Sequence, residues 1–341
     1  MQSKFLPLVL ASLPIVAVAQ DTRNVQEIIV IGVRDTHTVV TDDTLVAPSD
    51  TAQMLRKMPG ANINKNGELT GIAQYRGMFG DRIRVSVDGA QVSGAGPNSM
   101  DAPLSYAPVA LLQSLTINRG ITPVSAGQET IGGYVEAKTY AGEFTNSGDF
   151  SFDGRTYFGA QSINDGIVAS GFFSLANRNS IFRAFVMNES ADDLEFPGGT
   201  IMPSEYKRER FDLGYSYRSG DHEFSIDLAR NNTGDAGTPS LPMDILSIDS
   251  DLFRSRYSFD GNNYRVTAEL FGSDNAHWMS NFHLRRPPQT ASMTNDNMRF
   301  RQTYAVSDNL GFALKLEQFV ANGSWQYGID GHFTEHDAVI S

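Results

Sequence analysis

The side chains able to do chemistry in this chain are carboxylates, a few histidines and methionines. Cysteine is absent from all 341 residues, which removes a disulfide scaffold, a cysteine zinc site and a thiolate nucleophile. No Gly-x-Ser-x-Gly elbow, Walker loop or His-Glu-x-x-His helix occurs, so the chain is not read as an enzyme. Paired acids such as Asp192-Asp193 lie in a polar stretch and read as solvated charge, or as a lure for cations, rather than acid–base machinery. His332, His336 and Asp337 are a candidate cluster whose spacing suits zinc. With 39 acidic against 27 basic residues the formal charge is −12. That balance fits collecting cations from outside, and it argues against nucleic acid, because phosphate binding needs a cationic face.

Such residues act only where a fold holds them, and the texture of the chain changes three times. Met1 to Ala19 have the form of a secretory signal. Lys4 gives a positive end, Phe5 to Val18 form a short apolar core broken by Pro7 and Pro14, and Ala17-Val18-Ala19 presents small residues at a cleavage site. The mature chain is thereby expected to leave the cytoplasm. Residues 20–44 are polar except for the β-prone run Glu27-Ile28-Ile29-Val30-Ile31-Gly32. Residues 45–141 read as a small α+β domain. Ser49-Asp50-Thr51-Ala52 offers an N-cap for a helix over 52–58 that Pro59-Gly60 stops, and Pro108 to Leu112 form a second short helix. Strands are predicted over 82–89, 115–120 and 132–139.

From 142 onward, runs of about ten residues alternate and helical periodicity is lost. Phe211, Leu213, Tyr215 and Tyr217 share one face, opposite Arg210, Asp212, Gly214 and Ser216. Leu310, Phe312, Leu314 and Leu316 repeat the pattern, as do Trp325, Tyr327 and Ile329. A soluble antiparallel sandwich shows such alternation with its apolar face inward; a transmembrane barrel shows it with apolar side chains toward lipid. Strands are predicted near 148–160, 165–175, 179–188, 206–218, 222–231, 251–259, 263–274, 299–320 and 324–335. Long polar loops (189–205, 233–250, 275–298) alternate with tight turns, as outer-membrane barrels require and sandwiches do not.

At this point a family resemblance becomes specific. The segment Tyr75-Arg76-Gly77 through Arg82-Ile83-Arg84-Val85-Ser86-Val87-Asp88-Gly89 resembles the plug domain of TonB-dependent outer-membrane receptors. The segment Ala107-Pro108-Val109 to Leu115-Thr116-Ile117-Asn118-Arg119-Gly120 does so too, followed by Pro123 to Gly127 and Ile131-Gly132-Gly133. The resemblance implies a membrane β-barrel with an N-terminal α+β plug, located in the cell outer membrane and in contact with its lipid. It divides the chain into a signal peptide (1–19), a periplasmic segment (20–44), a plug (45–141) and the N-terminal part of a barrel (142–341). Residues Glu27, Ile28, Ile29, Val30, Ile31 and Gly32 then resemble the TonB box, offered to the energising periplasmic partner TonB as an added strand. Glycines 77, 80, 89, 120, 132 and 133 are assigned to positive-φ turns and close packing. Barrels of this family have about 22 strands, and nine are counted here, so the chain is expected to be a fragment of the full receptor.

The resemblance is nearest to the branch that handles copper. There a plug Met, and a Cys four residues before it, face a His-x-Met of an external loop. Here Met100, His277 and Met279 match, while Gly96 stands in the Cys position. Thioether and imidazole donors suit copper, above all the cuprous ion. The implied ligand is therefore a copper ion, carried as transported cargo rather than as a resident cofactor, or a metal chelate. A siderophore or vitamin receptor of the same family is the alternative, and a non-transporting surface protein with a soluble β-sandwich is the alternative from another class.

Overall fold

The computed structural model describes residues 36–40, 47–121, 126, 130–287 and 300–340. The expected signal peptide (1–19) and the TonB box from Glu27 to Gly32 lie outside them.

The first part of the chain is assembled around a mixed five-stranded sheet. Its strands in chain order are β1 (Thr36–Val40), β4 (Arg84–Val87), β5 (Ala90–Gln91), β6 (Leu112–Asn118) and β7 (Tyr134–Thr139), and a separate hairpin is made by β2 (Ala61–Lys65) and β3 (Gly71–Tyr75). The spatial order is β1-β6-β7-β4-β5, with β4 and β7 parallel and the other pairs antiparallel. Leu112, Leu115, Ile117, Val135 and Ala137 are fully buried and pack against Met54, Leu55 and Leu104. The two predicted helices are both present as 3-10 turns, Thr51–Lys57 and Val109–Leu111. Asp50 caps the first, its Oδ1 accepting from Ala52 N–H at 2.9 Å. Asp88 and Gly89 both take positive φ, 51° and 83°, the combination a tight two-residue hairpin needs between β4 and β5. Of the assigned glycines only Gly132 lacks positive φ. Its role is space: an added Cβ would lie 2.5 Å from the Arg82 carbonyl.

All nine predicted strands of the second part occur, joined in one antiparallel sheet that follows chain order. Among the described residues these strands do not form two face-to-face sheets, the sandwich arrangement. The strands are β8 (Ser151–Gln161), β9 (Gly166–Ala176), β10 (Ser180–Ala191), β13 (Tyr206–Ser219), β14 (His222–Ala236), β15 (Asp244–Asp260), β16 (Tyr264–Ser280), β17 (Gln302–Val320) and β18 (Gly323–Ile340). A small hairpin, β11 (Leu194–Phe196) with β12 (Gly199–Ile201), sits in the loop after β10. Phe211, Leu213, Phe224, Ile226, Leu310, Phe312, Leu314, Trp325 and Ile329 are exposed on the outer face, where an apolar solvent would cover them. Alternating residues such as Arg208, Arg210, Arg254, Asn275 and Asn309 face the plug.

Three loop boundaries differ from expectation. Strand β14 continues to Ala236, β15 begins at Asp244 and β16 continues to Ser280, so most of 233–250 and part of 275–298 is strand. The reason is physical. A transmembrane strand needs about 9–11 residues, and β17 has 19. Beyond the lipid band the outer face is no longer uniformly apolar and the inner face carries Ile245, Ile248 and Met279, so the alternation fades and the sequence reads as loop although the hydrogen-bond ladder continues. Asp193 also differs from a free surface charge: its Oδ1 accepts from Ser204 N–H and from Glu205 N–H at 3.0 Å, which ties down the loop after β10.

Candidate metal centre

The plug meets the inner wall in two ways. Along much of the sheet the contact is made by arginines. Arg208 pairs with Glu189 and donates to the carbonyls of Ser49 and Ser105 at 2.9 and 3.1 Å. Arg210 donates to the Tyr106 carbonyl at 2.8 Å while gripping Asp212. Arg254 reaches the Asp88 carbonyl at 2.9 Å and joins Asp227, which Arg183 also binds. Asp88 in turn holds Thr139 through its backbone N–H and hydroxyl. A guanidinium fits this work because its planar donors reach a carboxylate and a carbonyl together.

Nearer the end with the long loops the contact changes. The plug segment from Gly94 to Asp101 folds back on itself. Asp101 accepts from Ala95 N–H at 2.6 Å, Gly96 N–H at 2.9 Å and the Tyr106 hydroxyl at 2.9 Å. Burial first, and the adjacent Asp101 second, push the Tyr106 phenol well above its ordinary range, which keeps it a donor. Pro97–Ser99 form a 3-10 turn that delivers Met100 toward the wall. Strand β16 supplies the other side. His277 and Met279, two residues apart, point to the same face. Between them Trp278 points outward and packs against Tyr304, with ring centroids 5.0 Å apart.

The three predicted residues are thus brought to one region. Met100 is 2% exposed, and His277 and Met279 are at 0%. Both thioethers belong to one apolar cluster with Leu69, Tyr206, Ile245, Ile248 and Ala305. His277 and Met279 do not lie in an external loop as expected: His277 is a ladder residue of β16, in register with Ile248 and Ala305. Neither imidazole nitrogen of His277 has a hydrogen-bond partner. Its Nδ1 stands 3.8 Å from Asp101 Oδ2, just outside hydrogen-bond range. An unpaired polar group this deep costs roughly 1–3 kcal/mol, which makes the fully buried imidazole of His277 a candidate ligand.

Gly96 lies against the same ring. A Cβ built there would overlap Nδ1 and Cε1 of His277. The imidazole therefore fills the space that a side chain at this position would take. Sequence reading noticed Gly96 as a missing thiolate but missed Asp101. Its signal was available only as one acid at the end of a glycine-rich plug loop.

The second predicted cluster is not assembled. His332, His336 and Asp337 all lie on β18. Residues four apart on a strand are roughly 13 Å apart along it, and adjacent residues face opposite sides, so the three cannot share an ion. Among the described residues no group of three or more His, Asp or Glu side chains is gathered for a hard cation.

Comparison with known proteins accords with this architecture. Residues 11–134 match the family model described as the TonB-dependent Receptor Plug Domain. Among solved structures, the copper transporter OprC aligns with a TM-score of 0.80 at 22% identity, over 89% of this chain and 47% of that one. The siderophore receptor PirA from Acinetobacter baumannii aligns with a TM-score of 0.62 at 14% identity, covering 88% and 48%. The ferric enterobactin receptor PfeA from Pseudomonas aeruginosa gives 0.63 at 13%, covering 88% and 48%. The chain therefore spans about half the length of the solved structures it matches.

Proposed function

Because this chain carries a TonB-dependent receptor plug set against a receptor-type barrel wall, we propose that it serves in the outer membrane as part of a receptor importing a soft metal cation, copper first. The observation that supports this most is the His277 imidazole, buried with both nitrogens unpaired, in one region with the buried thioethers of Met100 and Met279. Two thioethers and an imidazole are soft-to-borderline donors and favour cuprous copper over calcium, magnesium or manganese. The full burial of these donors admits a bare ion. A siderophore or vitamin would need a pocket of several hundred Å³ in contact with them.

The working cycle requires no chemical step. Cation enters from the long-loop side and settles between plug and wall. The segment from Glu27 to Gly32 adds as a strand to TonB on the opposite side, and the partner's pull displaces the plug. The energy comes from that partner.

The test is copper uptake by cells carrying the complete reading frame, beside strains with Met100→Ala plus His277→Ala and with residues 27–32 deleted. Loss of uptake in both is expected. Uptake unchanged by the double substitution removes the metal centre from the reading, and uptake unchanged by the deletion removes the energised mechanism.

A further inference from the structure

The Met100, His277 and Met279 donors leave one physical problem open. Two thioethers and a neutral imidazole carry no charge, so a cation held by them is a net positive charge at a fully buried point. Burying a charge without a counter-charge is expensive. A thiolate in the coordination shell would supply the missing charge, and this chain has no cysteine.

Asp101 stands where a substitute is needed. Its side chain is 1% exposed, next in sequence to Met100, with Oδ2 at 3.8 Å from His277 Nδ1. Three donors, Ala95 N–H, Gly96 N–H and the Tyr106 hydroxyl, fix it in place. Its anchoring does not depend on His277, so it is a fixed point toward which the ring can move. Shortening the gap by about 1 Å gives an ordinary N–H···O hydrogen bond. Gly96 makes that approach possible, since any Cβ there would occupy the place of the ring.

We propose that Asp101 is the positioning and charge-balancing residue of the His277 centre. Its carboxylate takes the Nδ1–H of His277, which fixes the tautomer, turns Nε2 toward the cation and places one negative charge beside it. Asp101 thus acts through the imidazole without itself ligating. Carboxylates behind metal-bound histidines raise ligand basicity in this way, and their loss typically weakens affinity about 10–100-fold. The inference rests on the soft-cation reading above and adds to it the source of the charge.

The experiment uses the full chain in detergent and silver ion as a redox-inert probe of the cuprous site. Affinity is read by calorimetric titration, and the histidine tautomer by nitrogen-15 NMR. Asp101→Asn keeps the shape of the side chain and removes its charge. It is expected to weaken silver binding about 10–100-fold and to abolish the Nδ1–H signature of bound His277. Gly96→Ala, whose Cβ would overlap the ring and stand 2.8 Å from Asp101 Oδ1, is expected to do the same while keeping the negative charge of Asp101. Tyr106→Phe removes one of three braces of the carboxylate and none of its charge, and is expected to weaken silver binding less than Asp101→Asn does and to keep the Nδ1–H signature.

Silver affinity and tautomer unchanged in Asp101→Asn would overturn the proposal. Equal losses in Asp101→Asn and Tyr106→Phe with the tautomer retained would also overturn it, by making Asp101 a loop brace only. His277→Leu separates the two levels. If it too leaves silver binding intact, the soft-cation reading itself fails; if it abolishes binding while Asp101→Asn does not, only the role of Asp101 fails.

Discussion

The plug touches the barrel wall along an arginine seam and at a thioether–imidazole patch, and the two regions solve burial in opposite ways. In the seam Arg183, Arg208, Arg210 and Arg254 each find carboxylates, carbonyls or hydroxyls. At the patch His277, equally buried, finds no hydrogen-bond partner. In the seam Arg208, Arg210 and Arg254 each reach a plug carbonyl, whereas the imidazole at the patch makes no hydrogen bond to either side. One region docks the plug through hydrogen bonds, and the other is the ligand site proposed above.

The sharpest way to break that distinction is Arg208→Ala. Glu189 is 5% exposed and would be left as an unpaired buried charge. The expected loss is about 3–5 kcal/mol, read from denaturant unfolding in detergent. A loss no larger than the roughly 1 kcal/mol of a surface ion pair would mean that the seam does not hold the plug.

A second test concerns the edge of the seam. Asp50 follows Ser49, whose carbonyl Arg208 binds. Burial pushes the Asp50 carboxyl from 3.8 up to about 6. Between those values the folded protein holds a proton that the unfolded chain has released. Stability contributed by this group is therefore lost as pH rises from about 4 through about 6, by at most about 3 kcal/mol. Comparing unfolding across that range with Asp50→Asn isolates it: the parent should lose stability relative to the variant as pH rises. Parallel curves would show that Asp50 does not carry the proton.

The smallest expected change has the opposite sign. His277→Leu removes the orphaned imidazole from the patch, so the cation-free protein should gain about 1 kcal/mol while the added stability conferred by silver ion disappears. Destabilisation comparable to that of Arg208→Ala would place His277 with the docking groups and erase the contrast.

The legibility of this molecule follows the range of its interactions. The plug strands, the Asp88-Gly89 turn and the nine barrel strands could be read because turn chemistry and period-two alternation are local. Gly89 needs only its neighbours to explain it, and Leu310, Phe312 and Leu314 announce one face by spacing alone. The upper ends of β14, β15 and β16 could not be read, because hydrogen bonding continues there after the contrast between faces has gone. The zinc-like cluster of His332, His336 and Asp337 failed for a related reason. Spacing that suits a turn or helix places residues far apart, or on opposite faces, once the segment is a strand.

The candidate metal centre divides along the same line. Met100, His277 and Met279 could be picked out by residue type and by family resemblance. Asp101 could not, since its relation to His277 spans 176 positions of chain and exists only when the plug loop is folded against β16. Composition, alternation and turn residues, all short-range properties, determined that this chain makes a small α+β domain and a sheet with one apolar face, and the family resemblance made them a plug and a barrel wall. Tertiary structure alone decided which polar groups would be paired by arginines and which imidazole would be buried without a partner, because a desolvation cost depends on what surrounds a group and not on what precedes it in the chain.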